Sequence, residues 1–424
     1  MTSPVVQEES AATSGARVDR WRLPGAFEVL SLRNYRLFWI GTFLANLGVW
    51  MQNIALGWVV LELTNSTFFL GLQAFAASIP SLVFVLVGGV IADRYDRKRL
   101  MQATQLAAFF FALALGVLTS LGFLRIWQVI LLSFLSGTAA ALYAPANQAV
   151  LPDLVPAEKI AYAIAFNSAQ FNVSRIIGPA VAGFVLVNLD TASCFYLNAI
   201  TLLALVFMLI RIAIPAPRTG ASRSSGWEQF KSGLSHFYEC KEILAVTLLV
   251  GAESFFALCI TSMLPVFARD VLAAGLHGLA RLTGSLGLGA LVGALFFLRT
   301  VRQRHKGRMV VNSLNCFYAA IFLFALSRNY YFSLLTLTVA GFFMVTANST
   351  MTDLVQKLSR SEYRARIMGV YITASLGSVP LGSLLVGLLA EFIGVQWSVA
   401  SFAVLAVAST YLVVRYLPEL MSYE

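Results

Sequence analysis

The chain has 424 residues, of which 58% are hydrophobic and only 12% are charged, and its formal net charge is +10. A soluble domain contains about 45–50% apolar and about 25% charged residues, so this composition excludes a soluble fold. A nucleic-acid-binding protein concentrates its basic residues on one solvated face. Here they are distributed between apolar runs, which excludes that class of partner.

Twelve apolar runs of membrane-spanning length predict an all-α integral membrane protein with twelve transmembrane helices. The runs cover residues 37–63, 71–91, 101–123, 127–146, 161–187, 195–214, 243–267, 282–298, 309–326, 331–347, 367–392 and 397–417. Strands of a membrane barrel would alternate in polarity and need only about 9–11 residues, so a barrel is excluded.

The basic residues predict the orientation of these spans. Of the 30 Lys and Arg residues, 25 lie in segments on the side of the N-terminus, and Arg175 lies within a span. Four lie on the opposite side, namely Arg125, Arg269, Arg281 and Arg328. Short cytoplasmic loops carry such an excess of positive charge. We therefore expect a multi-pass protein of the bacterial inner membrane with both termini in the cytoplasm.

The polar segments divide the chain into two halves. Residues 37–214 and 243–417 hold six spans each, between a cytoplasmic N-terminal tail, 1–36, and a short C-terminal tail, 418–424. The N-terminal tail lacks the apolar core of a signal peptide. The longest interruption, 215–242, begins with Pro and Ser and continues with apolar residues at helical spacing, which predicts a linker with an amphipathic surface helix.

An offset of 204 residues relates the two halves to each other. It superposes Gly89 on Gly293, Gly178 on Gly382 and Gly183 on Gly387. Parallel repeats of six helices, related by an axis along the membrane normal, imply a central pathway between the two halves.

The loop between the second and third spans contains a charged cluster in the segment GGVIADRYDRKRL. It resembles the cytoplasmic loop signature of the major facilitator superfamily, Gly-x-x-x-Asp-Arg-x-Gly-Arg-Arg. The matching residues are Gly89, Asp93, Arg94, Arg97 and Lys98, whereas Asp96 stands where the family has Gly. The resemblance implies a latch for the outward-facing state, in which Asp93 meets the start of span eleven. The alternative is ordinary positive charge in a cytoplasmic loop.

Span five contains RIIGPAVAG, which resembles the Gly-Pro-x-x-Gly-Gly motif of antiporters in the same superfamily. Gly178, Pro179 and Gly183 match, and Ala182 replaces the first of the last two glycines. Glycine permits close helix approach and proline removes a backbone hydrogen bond, so we expect a kinked, closely packed helix. The motif implies coupling to export, and a purely structural kink is the alternative.

Two ionisable residues lie inside predicted spans. Arg175 lies near the middle of span five, where an arginine costs about 2.5–3.5 kcal/mol on insertion scales, so we predict a pathway residue or else a structural ion pair. Glu253 lies in span seven without a basic neighbour on its helix. Low dielectric disfavours the ionised carboxylate, which suits exchange of protons as access alternates. We predict Glu253 to be the proton-coupling site, with a structural carboxyl as the alternative.

Uncharged polar residues in the spans that would line the pathway are candidate substrate contacts. They are Gln52, Asn53, Asn167, Asn172, Tyr371 and Thr373. Hydrogen bonding between helices is an equal alternative for each of them. By the 204 offset Glu253 corresponds to Val49, one turn from Gln52, so both are expected to face the pathway.

The segments APANQAVLPDLVPAEK and LTNSTFFLGLQAFAASIP narrow the resemblance further. They are similar to the branch of the superfamily that includes the enterobactin exporter and other transmembrane secretion effectors. The resemblance implies proton-driven efflux of a siderophore, a drug or another amphiphilic molecule, with Arg175 suited to acidic catecholates or carboxylates. Uptake by proton symport and a transporter-like membrane sensor are the alternatives.

Motifs of enzymes are absent from the sequence. It contains no phosphate-binding loop and no His-Glu-x-x-His, and its four cysteines follow neither a disulfide nor a metal-ligand pattern. We therefore expect a transporter and not an enzyme, with no metal or cofactor and with the proton gradient as its energy source. We expect it to act as a monomer in the lipid bilayer on a small-molecule substrate.

Overall fold

The computed structural model describes residues 28–94, 96–213, 240–300, 305–359 and 364–422, and these residues form helices and short connections without a strand. Of the predicted linker, 215–242, only residues 240–242 are among the described residues. The long helices, in chain order, are α1 (Arg33–Thr64), α2 (Thr67–Arg94), α3 (Arg97–Ser120), α4 (Ile126–Leu154), α5 (Ile160–Asn188), α6 (Thr191–Arg211), α7 (Lys241–Phe256), α8 (Gly275–Thr300), α9 (Lys306–Leu326), α10 (Tyr330–Leu358), α11 (Arg364–Ile393) and α12 (Val395–Tyr416).

The predicted all-α membrane fold is confirmed in the described part of the chain. Eleven of its helical segments are long and apolar enough to cross a membrane, and α2 reaches 28 residues. Several helices begin before the apolar runs that predicted them: α1 begins at Arg33 instead of residue 37, and α8 begins at Gly275 instead of residue 282. Hydropathy marks the part of a helix that lies in hydrocarbon, whereas backbone hydrogen bonding continues into the polar flanks.

Span seven differs from the single continuous helix that its apolar run predicts. After α7 ends at Phe256, the chain continues as a 3₁₀ helix (Leu258–Met263), one α turn (Leu264–Val266) and a π segment (Phe267–Val271). Pro265 lies in the α turn and has no N–H to donate, which contributes to the break. Hydropathy cannot reveal this change, because all three helix types bury apolar side chains equally well.

The two halves repeat one packing pattern. In the N-terminal half, α1 packs against α5 and α6, α2 against α4, and α3 against α4 and α6. In the C-terminal half, α7 packs against α11 and α12, α8 against α10, and α9 against α10 and α12. A shift of six helices converts one set of neighbours into the other. The halves meet along two equivalent seams, α2 with α11 and α5 with α8.

Glycines place the backbones close together at both seams. A Cβ on Gly183 of α5 would meet the Cβ of Ala280 on α8, and a Cβ on Gly387 of α11 would meet the backbone of Gly71 on α2. The 204 offset pairs Gly183 with Gly387, so the repeat in the sequence corresponds to equivalent positions in the fold. Small residues at such crossings allow tight packing in lipid, where no hydrophobic effect drives helices together.

The two ends of the bundle differ in character. The end at which α1, α3, α5, α7, α9 and α11 begin, here called the basic face, carries most of the described Lys and Arg residues. The opposite end, here called the far face, carries large exposed aromatic side chains, namely Phe123, Trp127, Tyr331, Phe392 and Trp397. Aromatic rings concentrate at the level of lipid headgroups. The far face therefore has the composition of a membrane boundary.

Two glycines of α8 test the packing within one half. A Cβ at Gly289 would overlap the carbonyl oxygen of Thr338 on α10, whereas nothing lies within 4 Å of a Cβ at Gly284. We expect Gly289→Ala to lower the free energy of unfolding by about 1–3 kcal/mol, as overpacking does. The matched Gly284→Ala is neutral or slightly stabilising. Thermal unfolding of the purified protein in detergent measures both, and equal melting temperatures for the two variants would contradict the packing.

Candidate transport pathway

Glu253 lies near the C-terminal end of α7 and is the most deeply buried carboxyl among the described residues, with a side chain 1% exposed. Its Oε1 accepts a hydrogen bond of 2.8 Å from Nδ2 of Asn348 on α10. Its Oε2 is buried and has no hydrogen-bond partner among the described residues. A carboxyl oxygen buried in this way is costly to keep ionised, and a proton on it removes that cost.

Polar groups on α10 continue from Glu253 toward the basic face. Asn348 is half-buried, and its carbonyl accepts a hydrogen bond of 2.8 Å from the hydroxyl of Thr352, one turn further along the helix. The Thr352 hydroxyl lies 3.4 Å from the hydroxyl of Tyr371 on α11. Tyr371, a predicted pathway residue, is thus buried between α10 and α11. Thr373, also predicted, bonds the carbonyl of Gly369 on its own helix at 2.8 Å.

The predicted polar residues of the N-terminal half have different surroundings. Gln52 of α1 is buried and accepts a hydrogen bond of 2.8 Å from Asn198 of α6, which favours the helix-to-helix alternative. Asn167 accepts one of 3.4 Å from Tyr35, again within this half. Asn53 is exposed on α1. The side chain of Asn172 is outside the described residues.

Arg175 is half-buried on α5 and shares a helix face with Phe171, one turn earlier. The ring of Phe171 packs edge to face with Trp50 of α1, with centroids 6.2 Å apart. Gly178, one turn after Arg175, leaves room for Trp50, since a Cβ there would meet the Cβ of Trp50. The predicted close packing at Gly178 therefore brings Trp50 of α1 against the stretch of α5 that carries Phe171 and Arg175. The residue after it, Pro179, is buried within α5, which continues past it.

In the second half, the equivalent of Gly178 makes an equivalent contact. A Cβ on Gly382 of α11 would overlap the carbonyl oxygen of Phe255 on α7, so α11 crosses α7 as α5 crosses α1. The predicted pathway residues Arg175 and Glu253 therefore lie on different members of this crossing pair of helices, α5 in the N-terminal half and α7 in the C-terminal half.

The described members of the predicted latch bind within the N-terminal half. Arg97 forms an ion pair of 3.0 Å with Asp153 at the end of α4. Lys98 donates to the carbonyls of Ile210 and Ile212 at 3.1 and 2.7 Å, at the end of α6. The surroundings of Gly89 and the side chains of Asp93 and Arg94 are outside the described residues. The contact predicted between Asp93 and span eleven therefore stays a prediction.

Two features of this face were missed or unexplained at the level of sequence. Asp96, which departs from the family signature, caps α3 by accepting a hydrogen bond of 3.1 Å from the N–H of Arg99. Lys306 at the start of α9 pairs with Asp353 near the end of α10, as Arg97 pairs with Asp153 in the first half. Each half therefore ties its third and fourth helices together with an ion pair at the basic face.

The comparisons with known proteins agree with this architecture. The chain is 27% identical to the staphyloferrin A transporter of Staphylococcus aureus over 88% of this chain and 93% of that protein. It is 23% identical to macrolide efflux protein A of Streptococcus pyogenes, covering 84% and 89%. It is 24% identical to the enterobactin exporter of Escherichia coli, covering 83% and 84%.

Solved structures show the same fold at lower identity. A D-xylose–proton symporter superposes with a TM-score of 0.74 at 13% identity, covering 91% of this chain and 99% of that one. A bacterial homologue of the lysosomal transporter Spinster, inward-facing and unoccupied, gives 0.72 at 13% identity, covering 92% and 98%. The model of the transmembrane secretion effector family matches residues 25–423. The chain therefore belongs to the transmembrane secretion effector family, a branch of the major facilitator superfamily.

Proposed function

We propose that this transporter exports a small amphiphilic molecule that carries an acidic group, such as a siderophore or a drug, in exchange for protons. The observation that carries the proposal is Glu253, a buried carboxyl with one unpartnered oxygen and one oxygen bonded to the half-buried Asn348. The efflux activities named for the relatives support the direction of transport.

Alternating access supplies the mechanism, with the two halves rocking about the central axis. We assign the basic face to the cytoplasmic side of the bacterial inner membrane in this proposal, and its Lys and Arg residues support that orientation. At the far face the halves touch through Gly183 with Ala280 and through Gly387 with Gly71. Contacts at this end suit a conformation that loads substrate from the cytoplasmic side, as export requires.

Proton exchange at Glu253 couples the gradient to this motion. When Glu253 faces the acidic exterior it takes up a proton, and when it faces the cytoplasm it releases one. Asn348 holds one oxygen in place and leaves the other available for the proton. If Glu253 binds a proton more tightly in one conformation than in the other, that difference in proton affinity is enough to shift the equilibrium between the two conformations.

Arg175 supplies the complementary charge for the substrate. A guanidinium binds carboxylate or catecholate oxygens through two parallel hydrogen bonds. Phe171, one turn before Arg175 on α5, packs edge to face with Trp50 and offers apolar ring surface on the same stretch of helix. A cation and ring surface on adjacent turns fit a molecule with one acidic end and one apolar or aromatic end.

Purified protein in liposomes tests antiport against symport, whatever its orientation in the vesicle. Under antiport an acidic lumen drives substrate into the vesicle, because protons leave as substrate enters. The compounds compared are siderophores, dyes and macrolides. Of these three classes, we expect the siderophores to accumulate in this direction. Accumulation driven by an acidic exterior would instead establish uptake by symport, and no movement of any compound would favour a sensor.

Replacing the proposed proton site abolishes this coupling. We expect Glu253→Gln to exchange substrate across the membrane when substrate is present on both sides, but not to accumulate it when the lumen is acidic. The control is Glu158→Gln, which removes an exposed carboxyl at the basic face, before α5. If Glu253→Gln responded to the pH gradient as the wild type does, Glu253 would not be the coupling site.

Replacing the proposed substrate cation changes selectivity. We expect Arg175→Gln to weaken binding of an anionic siderophore by about ten- to a hundredfold, since a charge-assisted hydrogen bond contributes about 1.5–3 kcal/mol. Binding of a cationic dye is unchanged or tighter. Arg281→Gln, at an exposed position of α8, is the control. Equal loss of both ligands would indicate a structural role for Arg175, and titration calorimetry distinguishes the cases.

A further inference from the structure

One carboxyl of the C-terminal half caps a helix of the N-terminal half at the far face. Oε2 of Glu391, at the end of α11, accepts hydrogen bonds from the N–H groups of Thr67 and Phe68 at 3.1 and 3.3 Å. It also accepts from the hydroxyls of Ser66 and Thr67, both at 3.0 Å. These donors belong to the first turn of α2, whose free N–H groups carry positive partial charge.

One cation of the C-terminal half caps the preceding helix of the N-terminal half. Arg269, in the π segment after α7, donates to the carbonyl of Leu61 at 3.1 Å and to Oδ1 of Asn65 at 2.5 Å. Asp270 holds the guanidinium with two hydrogen bonds of 2.6 and 3.0 Å. Asn65 ends α1 in a left-handed conformation with φ 50°. The last carbonyls of α1 carry negative partial charge, which a cation complements.

The contact between Arg269 and Asn65 joins the two halves at the far face. Arg269 follows α7 in the C-terminal half, and Asn65 ends α1 in the N-terminal half. The pair therefore lies across the boundary between the halves at this end of the bundle.

Two other far-face helix starts, those of α6 and α10, use a cap from their own half. Asp190 precedes α6 and accepts from the N–H of Ser193, and Asn329 precedes α10 and accepts from the N–H of Phe332. The start of α2 instead receives Glu391 from the opposite half. This bond contributes nothing to the folding of either half alone and exists only while the far face is closed.

We propose that Glu391 and Arg269 form a clamp that closes the far face. Arg269 caps the C-terminal end of α1 and Glu391 caps the N-terminal start of α2, each with a charge opposite to that of the helix dipole at that end. The clamp stabilises the conformation that loads from the basic face and must open for release. Both residues act through helix position, without touching substrate. The inference rests on alternating access in the proposed function, but its test measures a distance and needs neither substrate nor protons.

Spin labels on the far face of the full-length protein test the clamp. Leu121 and Arg328 are exposed far-face residues of opposite halves, and each is replaced by Cys in a background with Cys240→Ser and Cys316→Ser. Pulsed electron–electron distance measurements in lipid nanodiscs then report the far-face separation. We expect Glu391→Ala to raise the ratio of long to short distances about three- to tenfold, as loss of charge-assisted hydrogen bonds at an accessible site implies.

Two further variants complete the test. Arg269→Gln removes the second charge from a different helix and is expected to shift the ratio in the same direction, so the proposal does not depend on one variant folding. Asp190→Ala removes a cap of the same chemistry within one half and is expected to leave the distances unchanged. If both clamp variants gave the distance distribution of Asp190→Ala, the clamp would be refuted even if proton-coupled export were established.

Discussion

Hydrocarbon offers no partner to a polar group, and this constraint organises the chain from its backbone to its few buried side chains. Helices satisfy every backbone group internally, so the described residues cross the membrane as helices alone. Polar side chains within the spans then need neighbours, as in the bond of Gln52 with Asn198 and that of Glu253 with Asn348. A buried polar atom without a hydrogen-bond partner is therefore informative, and in the described part of the chain Oε2 of Glu253 is such an atom.

The two halves repeat in backbone but not in chemistry. Arg175 of α5 corresponds to Val379 of α11 at the 204 offset, and Glu253 of α7 has no ionisable counterpart near the middle of α1. In the proposed mechanism, a symmetric scaffold permits rocking of the two halves, and the unequal charges give the two conformations different affinities for protons and substrate. The clamp is unequal too, because both of its charges come from the C-terminal half.

Composition, hydropathy and repeated glycines were enough to predict the helical membrane fold and its two halves, because these depend on averages over many residues. Single exceptions within apolar runs led to the predictions for Arg175 and Glu253. Asn348 was missed because it stands in a run of small polar residues, ANSTMTD, that has no periodicity to single it out. Arg269 and Glu391 were missed as a pair because they lie at span ends, where charge is ordinary, and only the fold shows that both contact one hairpin.

Span seven joins the proposed coupling group to the clamp through continuous backbone. The N–H of Ala257, the residue that follows α7, bonds the carbonyl of Glu253 at 2.8 Å, and the 3₁₀ and π segments lead from there to Arg269. Short 3₁₀ and π segments within helices occur at hinges and functional sites, because their hydrogen-bond register differs from that of the α-helix on either side. In the proposed mechanism, a change of register in this stretch moves Arg269 relative to Glu253, so that protonation and far-face closure act on one element.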